Sequence, residues 1–376
     1  MIRPAAYLLL AAACGCAGAP APAPPAGERS RAPYVAAPAG RHGIDVRIDA
    51  GAARDLLAFL SQPQYRVDDA KRLEELPAVR LALQDSGRTA EVFERDLATA
   101  FEDEAGSAVF DFHSIRSARP RWEALLSALP AREADLARMS AERAAALLPA
   151  DRPVRTSLQV FLTFGLAGLA DHLVVTIPDG AEVMIVDLAR ALGDSANESV
   201  ENQIERVARL IAGEAFRQAW RAYRTGSPNW TSRDTSLGLL EPLLQVTTEL
   251  GPVALFHVDE NFFPLSVWLK ERLYDLRVFA SSYACSSCRT RSTAEIRRLD
   301  FGQRVAGPGG AFLSDGIIQN LGLDAFRTAL ASGPKAFFVA YDQAQQKSRD
   351  LIPLSEVIRN RLKGSKLQVP RNPSGS

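Results

Sequence analysis

Residues that usually carry metal, redox or nucleophilic chemistry are scarce in this chain. Its 376 residues include four histidines and four cysteines. His42, His113, His172 and His257 stand far apart, and none pairs with another at a spacing that lets two imidazoles share one ion. Asp111-Phe112-His113 and Asp171-His172 set a carboxylate beside a histidine in sequence, where the side chains are expected to face apart. Cys285 and Cys288 form a lone C-x-x-C, half the ligands of a zinc ribbon and without the β-α-β setting of a thioredoxin motif. A small loop disulfide or two plain thiols is expected there. No G-x-S-x-G elbow is present, and VAGPGGAFLSDG matches neither a dinucleotide fingerprint nor a phosphate-binding lysine loop. Gly309-Gly310 therefore reads as a turn leading into a helix. Neither sign of charge dominates: Lys plus Arg and Asp plus Glu number 44 each and are interleaved, which argues against a nucleic-acid partner.

The N-terminus is more specific. Met1 to Cys16 reads MIRPAAYLLLAAACGC: one basic residue, a short apolar run, then small residues and cysteine. This is the pattern of an export signal, too short for the roughly 20 apolar residues that span a bilayer. It resembles a bacterial lipoprotein signal, which implies lipidation of Cys14, after Ala11-Ala12-Ala13, with Cys16 as the competing site and an ordinary secretory signal as the alternative. Residues 17–42 are rich in Pro and Ala and read as a tether. The expected setting is the bacterial cell envelope, at the outer membrane or periplasmic face, with a lipid anchor as the link to the membrane.

From Gly43, GIDVRID alternates as a strand, and helical periodicity then dominates to about Leu148. RWEALLSAL and AREADLARMSAERAAALL read as separate helices punctuated by proline. VRTSLQVFLTFG, DHLVVTI and EVMIVDLARAL are β-rich and closely spaced, predicting hairpins and a small, mainly antiparallel sheet. A long helix follows over about 197–224, and the remainder is mainly helical. The expected organisation is a signal region at 1–16, the tether at 17–42, a mainly helical subdomain at 43–152, an α+β domain at 153–362 and a tail at 363–376. The fold class is α+β, mostly helical.

Within the long helix, RLIAGEAFRQAW has the outline of H-E-x-x-H, in which two histidines one turn apart hold zinc and the glutamate activates water. Gly213 and Arg217 stand at the histidine positions and only Glu214 remains. The apolar stripe of Val200, Ile204, Val207 and Ile211 continues to Glu214 and Gln218, which predicts a buried glutamate. Gly213, at a cost of about 1 kcal/mol against alanine mid-helix, predicts close packing. The plain reading is an amphipathic helix with an exposed Glu214–Arg217 pair.

The order and wording of IDVRIDAGAARDLLAFL, ELPAVRLALQ, the VFLTFG to VMIVDLARAL run, the motif helix, a Glu-Gly-like segment and GLDAFRTALASGPKAFFVAY resemble a family of zinc-dependent peptidases with gluzincin-like organisation, over about 43–362. The resemblance implies a zincin-like domain in which Glu214 is the general base and Gly213 and Arg217 are degenerate ligand positions. Its third ligand would be Glu249 in VTTELGPVA; if the pair is aligned on Gly251, Leu250 replaces the glutamate and that ligand is lost as well. Gly251-Pro252 reads as a helix stop and restart, placing Glu249 at a helix end. With so few ligands no cofactor is expected, and Arg217 is expected to pair with Glu214 or Glu249 in place of zinc. The implied protein is a pseudoenzyme that binds a peptide or protein ligand. The alternatives are a hydrolase whose non-standard metal site uses Glu214, Glu249 and His257, and a helical envelope scaffold unrelated to peptidases.

Overall fold

A computed structural model describes residues 42–102, 109–166, 170–193, 198–231, 240–257, 275–277, 280 and 301–364. The expectations for the signal, for the tether up to residue 41, for the C-terminal tail from residue 365 and for Cys285–Cys288 fall outside them, while residues 363–364, expected in the tail, close the last helix. Strand β1 (Gly43–Asp49) turns into helix α1 (Gly51–Leu60), with the Asp49 carboxylate accepting from the Gly51 amide at 2.7 Å. Helices α2 (Val67–Glu74), α3 (Pro77–Ser86), α4 (Ala90–Thr99) and α5 (Phe112–Ser117) follow. They bury aromatic clusters in which Phe59, Tyr65 and Phe101 meet edge to face, as do Phe93 and Phe112.

Helix α6 (Arg119–Leu147) is one 29-residue element rather than the two that the sequence suggests. Pro130 removes one backbone bond. Leu125, Leu126 and Leu129 on one side of it and Leu136 on the other are all buried, so a shared apolar face holds the helix together across the proline.

The sheet is completed by β2 (Arg155–Thr163), β3 (His172–Thr176) and β4 (Glu182–Asp187), in the order β1-β2-β4-β3. It is mixed, which corrects the expected mainly antiparallel sheet: β1–β2 and β2–β4 are parallel, and only β3–β4 pair as a hairpin. The reason is burial. Leu158, Val160 and Leu162 of β2 are all at most 1% exposed, as suits a central strand with parallel neighbours and helical cover. β1 precedes residue 152 and pairs along its whole length with β2, so the segments expected as separate domains share one sheet and one core.

Beyond β4 lie α7 (Leu188–Leu192), the long α8 (Val200–Thr225), α9 (Pro228–Thr231) and α10 (Glu241–His257). A π-helical turn, Gly302–Ala306, runs into α11 (Gly307–Leu321), followed by α12 (Leu323–Ala331), α13 (Pro334–Lys347) and α14 (Glu356–Gly364). The described residues thus form an α+β fold, mostly helical, with a small mixed sheet.

Two glycine readings are corrected. α10 continues through Gly251 and Pro252 instead of stopping, and Gly309-Gly310 lies inside α11 rather than in a turn. Both follow from one contact, the crossing of α10 on α11. A Cβ added at Gly251 would sit 2.4 Å from the Gly310 carbonyl carbon, and one at Gly310 would sit 2.3 Å from the Thr247 carbonyl oxygen. Backbone meets backbone there, so the glycines serve close approach and not chain reversal. Gly310→Ala must push the helices apart, and the expected loss is about 1–3 kcal/mol, the usual cost of overpacking. Urea unfolding measures it directly; a midpoint equal to wild type would mean that the crossing is not tight.

Candidate functional site: the charged cluster on α8

Helix α8 begins where Ser199 accepts from the Asn202 amide at 3.3 Å, an N-cap that fixes its first turn. Ile204, Val207 and Ile211 are at most 1% exposed, and the same stripe buries Glu214 at 3%. Gly213 is buried beside it. Ser140 of α6 closes the opposite side, its hydroxyl donating to the Ala208 carbonyl at 3.2 Å.

Arg217, one turn after Glu214, answers the buried carboxylate. Its Nε donates to Glu214 Oε2 at 2.7 Å and its Nη2 to Oε1 at 2.6 Å. Nη2 also donates to Oε2 of Glu182, at the start of β4, at 2.6 Å. The second Glu182 oxygen accepts from Arg221 at 3.1 Å, completing a chain of two carboxylates and two guanidinia. Its inner end is the most buried and its outer end the least: side-chain exposure is 4% at Glu214, 32% at Arg217, 19% at Glu182 and 65% at Arg221. The inner pair is therefore costly to break, while the outer link is screened by water. The hydrogen bonds to Glu214 hold the Arg217 guanidinium above its ordinary pKa against the opposing effect of burial.

Glu182 is the partner that sequence reasoning missed. Its signal is modest: a charged residue opening the apolar run VMIV of β4 and meeting two arginines four residues apart on α8.

Glu249 corrects the carried-over ligand set. It lies on α10, which runs antiparallel to α8: Phe256 meets Phe216 at 5.6 Å between ring centroids, and Glu249 pairs with Arg224. Arg224 is seven residues beyond Arg217, about 10 Å along the helix axis. Glu249 also accepts from Gln245 at 2.9 Å. Arg224 lies 5.8 and 5.6 Å from the Trp220 and Trp230 ring centroids, and burial lowers its pKa against the raising effect of Glu249. Glu249 thus belongs to a second ion pair, whose Arg224 lies nearly three turns along α8 from Glu214. His257 closes α10, and its side chain lies outside the described residues.

The remaining sequence candidates are dispersed. His172 bonds to its neighbour, with Nδ1 2.6 Å from Asp171 Oδ1, although adjacent residues were expected to face apart. Asp171 sits in a bend before β3, so strand alternation does not govern it. Asp111 caps α5 by accepting from the Ser114 amide at 3.3 Å, and His113 stands in the helix it caps. His42 is half-buried beside the Pro149 backbone, its pKa lowered chiefly by burial.

Zinc does not fit this arrangement. Glycine offers no ligand at position 213, the Arg217 cation stands against both oxygens of Glu214, and the third carboxylate is engaged elsewhere. Among the described residues no three His, Cys, Asp or Glu side chains form a metal-holding group. No protein-family model, curated protein or solved structure matches the chain, so these comparisons lend the peptidase resemblance no support.

The geometry makes Arg217 the residue on which the local charge balance depends. Arg217→Met should cost about 3–5 kcal/mol, the range for stranding a buried charge. Arg221→Met, at the wet end of the chain, should cost about 1 kcal/mol or less. Equal losses in denaturant unfolding would contradict this ordering.

Proposed function

We propose that the chain is a lipid-anchored envelope protein whose folded body has the organisation of a zinc-dependent peptidase but no hydrolytic activity, and that it works by binding a peptide or protein partner. The observation that carries the non-hydrolytic part is the occupation of both Glu214 oxygens by Arg217. A general base needs an oxygen turned to water to take its proton. A guanidinium that never deprotonates keeps both oxygens engaged. The signal at 1–16 and the Pro/Ala-rich stretch after it support the envelope part, since a leash of that composition lets a body stand off an anchored terminus. The alternative metal site of Glu214, Glu249 and His257 is disfavoured by the pairing of Glu249 with Arg224, nearly three turns along α8 from Glu214.

Full-length protein purified from membranes in detergent tests both parts. Zinc well below one equivalent is expected, with peptide hydrolysis at background and unchanged in Glu214→Gln. Stoichiometric zinc and hydrolysis, both lost in Glu214→Gln, would overturn the non-hydrolytic reading. Cys14→Ser should abolish incorporation of labelled palmitate and release the protein from the membrane fraction. Label lost only with Cys16→Ser moves the anchor to Cys16. Wild-type protein that takes up no label would overturn the anchor.

A further inference from the structure

We propose that β1 is a self-association edge, on which a second copy of this chain docks its own β1 antiparallel and joins the two four-stranded sheets. Among the described residues β1 is a terminal strand of the sheet, with β2 as its neighbour and its other edge uncovered. The Gly43 amide donates to the Val154 carbonyl at 2.9 Å, and pairing with β2 is parallel. Gly43, Asp45, Arg47 and Asp49 therefore turn their backbone groups toward β2, and Ile44, Val46 and Ile48 turn theirs to the open edge.

An exposed edge with charged side chains is ordinarily protected against pairing. What distinguishes GIDVRID is the way its charges are placed about Val46. In an antiparallel pair centred on Val46, Val46 meets its own copy and Ile44 meets Ile48, so each of the three outward-facing residues falls at a hydrogen-bonded position. In the same register Asp45 meets Arg47 of the other copy, twice, at the non-hydrogen-bonded positions where Cα atoms lie closest, about 4.5 Å apart. One register thus satisfies the backbone and both charge pairs. A shift by two residues would set Asp45 against Asp45 or Arg47 against Arg47, so the alternative pairings with the same backbone bonding are penalised.

The other face is also compatible. Ile44, Val46 and Ile48 lie on the core-facing side of β1, and a groove of about 280 Å³ runs between β1 and α6, with Ile44, Val46, Ala137, Ala141 and Ala145 as its apolar lining and His42, Asp45, Arg138 and Glu142 as its polar lining. The small alanine side chains leave space beside the edge for the apolar face of an incoming strand. Within one copy, Arg47 pairs with Asp45 at 2.9 Å on the open surface, with side chains 71% and 53% exposed, so exchanging that pair for one across the dyad leaves no buried charge behind. The pairing is isologous, as two-fold dimers require.

The test uses charge exchange with two differently tagged full-length copies, co-expressed and co-purified in excess detergent. Wild type should capture wild type. Asp45→Arg alone or Arg47→Asp alone should each reduce self-capture about tenfold, the change that 1.4 kcal/mol of like-charge opposition produces. Asp45→Arg mixed with Arg47→Asp should restore capture, as should the double variant D45R/R47D with itself. Because both residues are exposed, the variants should unfold at the wild-type temperature, which separates loss of association from loss of fold. Wild type that does not self-associate, single variants that capture as wild type does, or mixtures that fail to recover would each overturn the proposal.

Discussion

Glu214 brings a negative charge into a helix face that is otherwise apolar, and its surroundings are arranged to answer that charge. An ion taken out of water costs several kcal/mol even after relaxation, so a carboxylate only 3% exposed demands a partner of fixed geometry. Arg217 supplies it through a planar fork that reaches both oxygens. The same guanidinium extends to Glu182, so the bond that neutralises the helix also ties α8 to the start of β4. Two turns on, Arg224 and Glu249 tie α8 to α10 in the same manner. One helix is thus fastened to a strand at one level and to another helix two turns further on by two separate ion pairs, with Phe216 and Trp220 stacked and buried beside them.

This arrangement gives the proposed function its physical content. An arginine is a permanent charge and cannot be titrated out of the way, so Arg217 keeps both Glu214 oxygens engaged in structure. A peptidase needs the reverse: a metal that draws water in and a base with an oxygen to spare. With both Glu214 oxygens held by Arg217, binding is the role proposed for the chain, and the anchored position proposed with it fits the holding of a partner near a membrane.

Much of the scaffold was legible in the sequence because burial enforces periodicity. The stripe that buries Ile204, Val207 and Ile211 predicted that Glu214 would be inside, and it is. The pairing of Arg217 was expected with Glu214 or Glu249 in place of zinc, and the structure gives Glu214. What was hidden depended on contacts between distant segments. Glu182 gives no local sign of its partner 35 residues away. Gly251-Pro252 carries the local signature of a helix stop, and only the crossing with Gly310 explains why the helix continues. The parallel pairing of β1 with β2 could not be read either, because alternation fixes which face of a strand is buried and leaves its direction open. Glu249 was placed by resemblance, and the antiparallel course of α10 against α8 moved it away from the motif.

The central claim is that Glu214 and Arg217 are retained as a unit, each needed because the other is there. A double-mutant cycle in equilibrium unfolding tests this most directly, using Glu214→Leu, Arg217→Met and the combined variant. If the pair is the organising interaction, Arg217→Met will be strongly destabilising, whereas the double variant, with no buried charge left unpaired, will recover most of that loss, a coupling of about 2–3 kcal/mol. Losses that simply add, with coupling near zero, would contradict the account and return Glu214 and Arg217 to the status of two independent residues on an amphipathic helix.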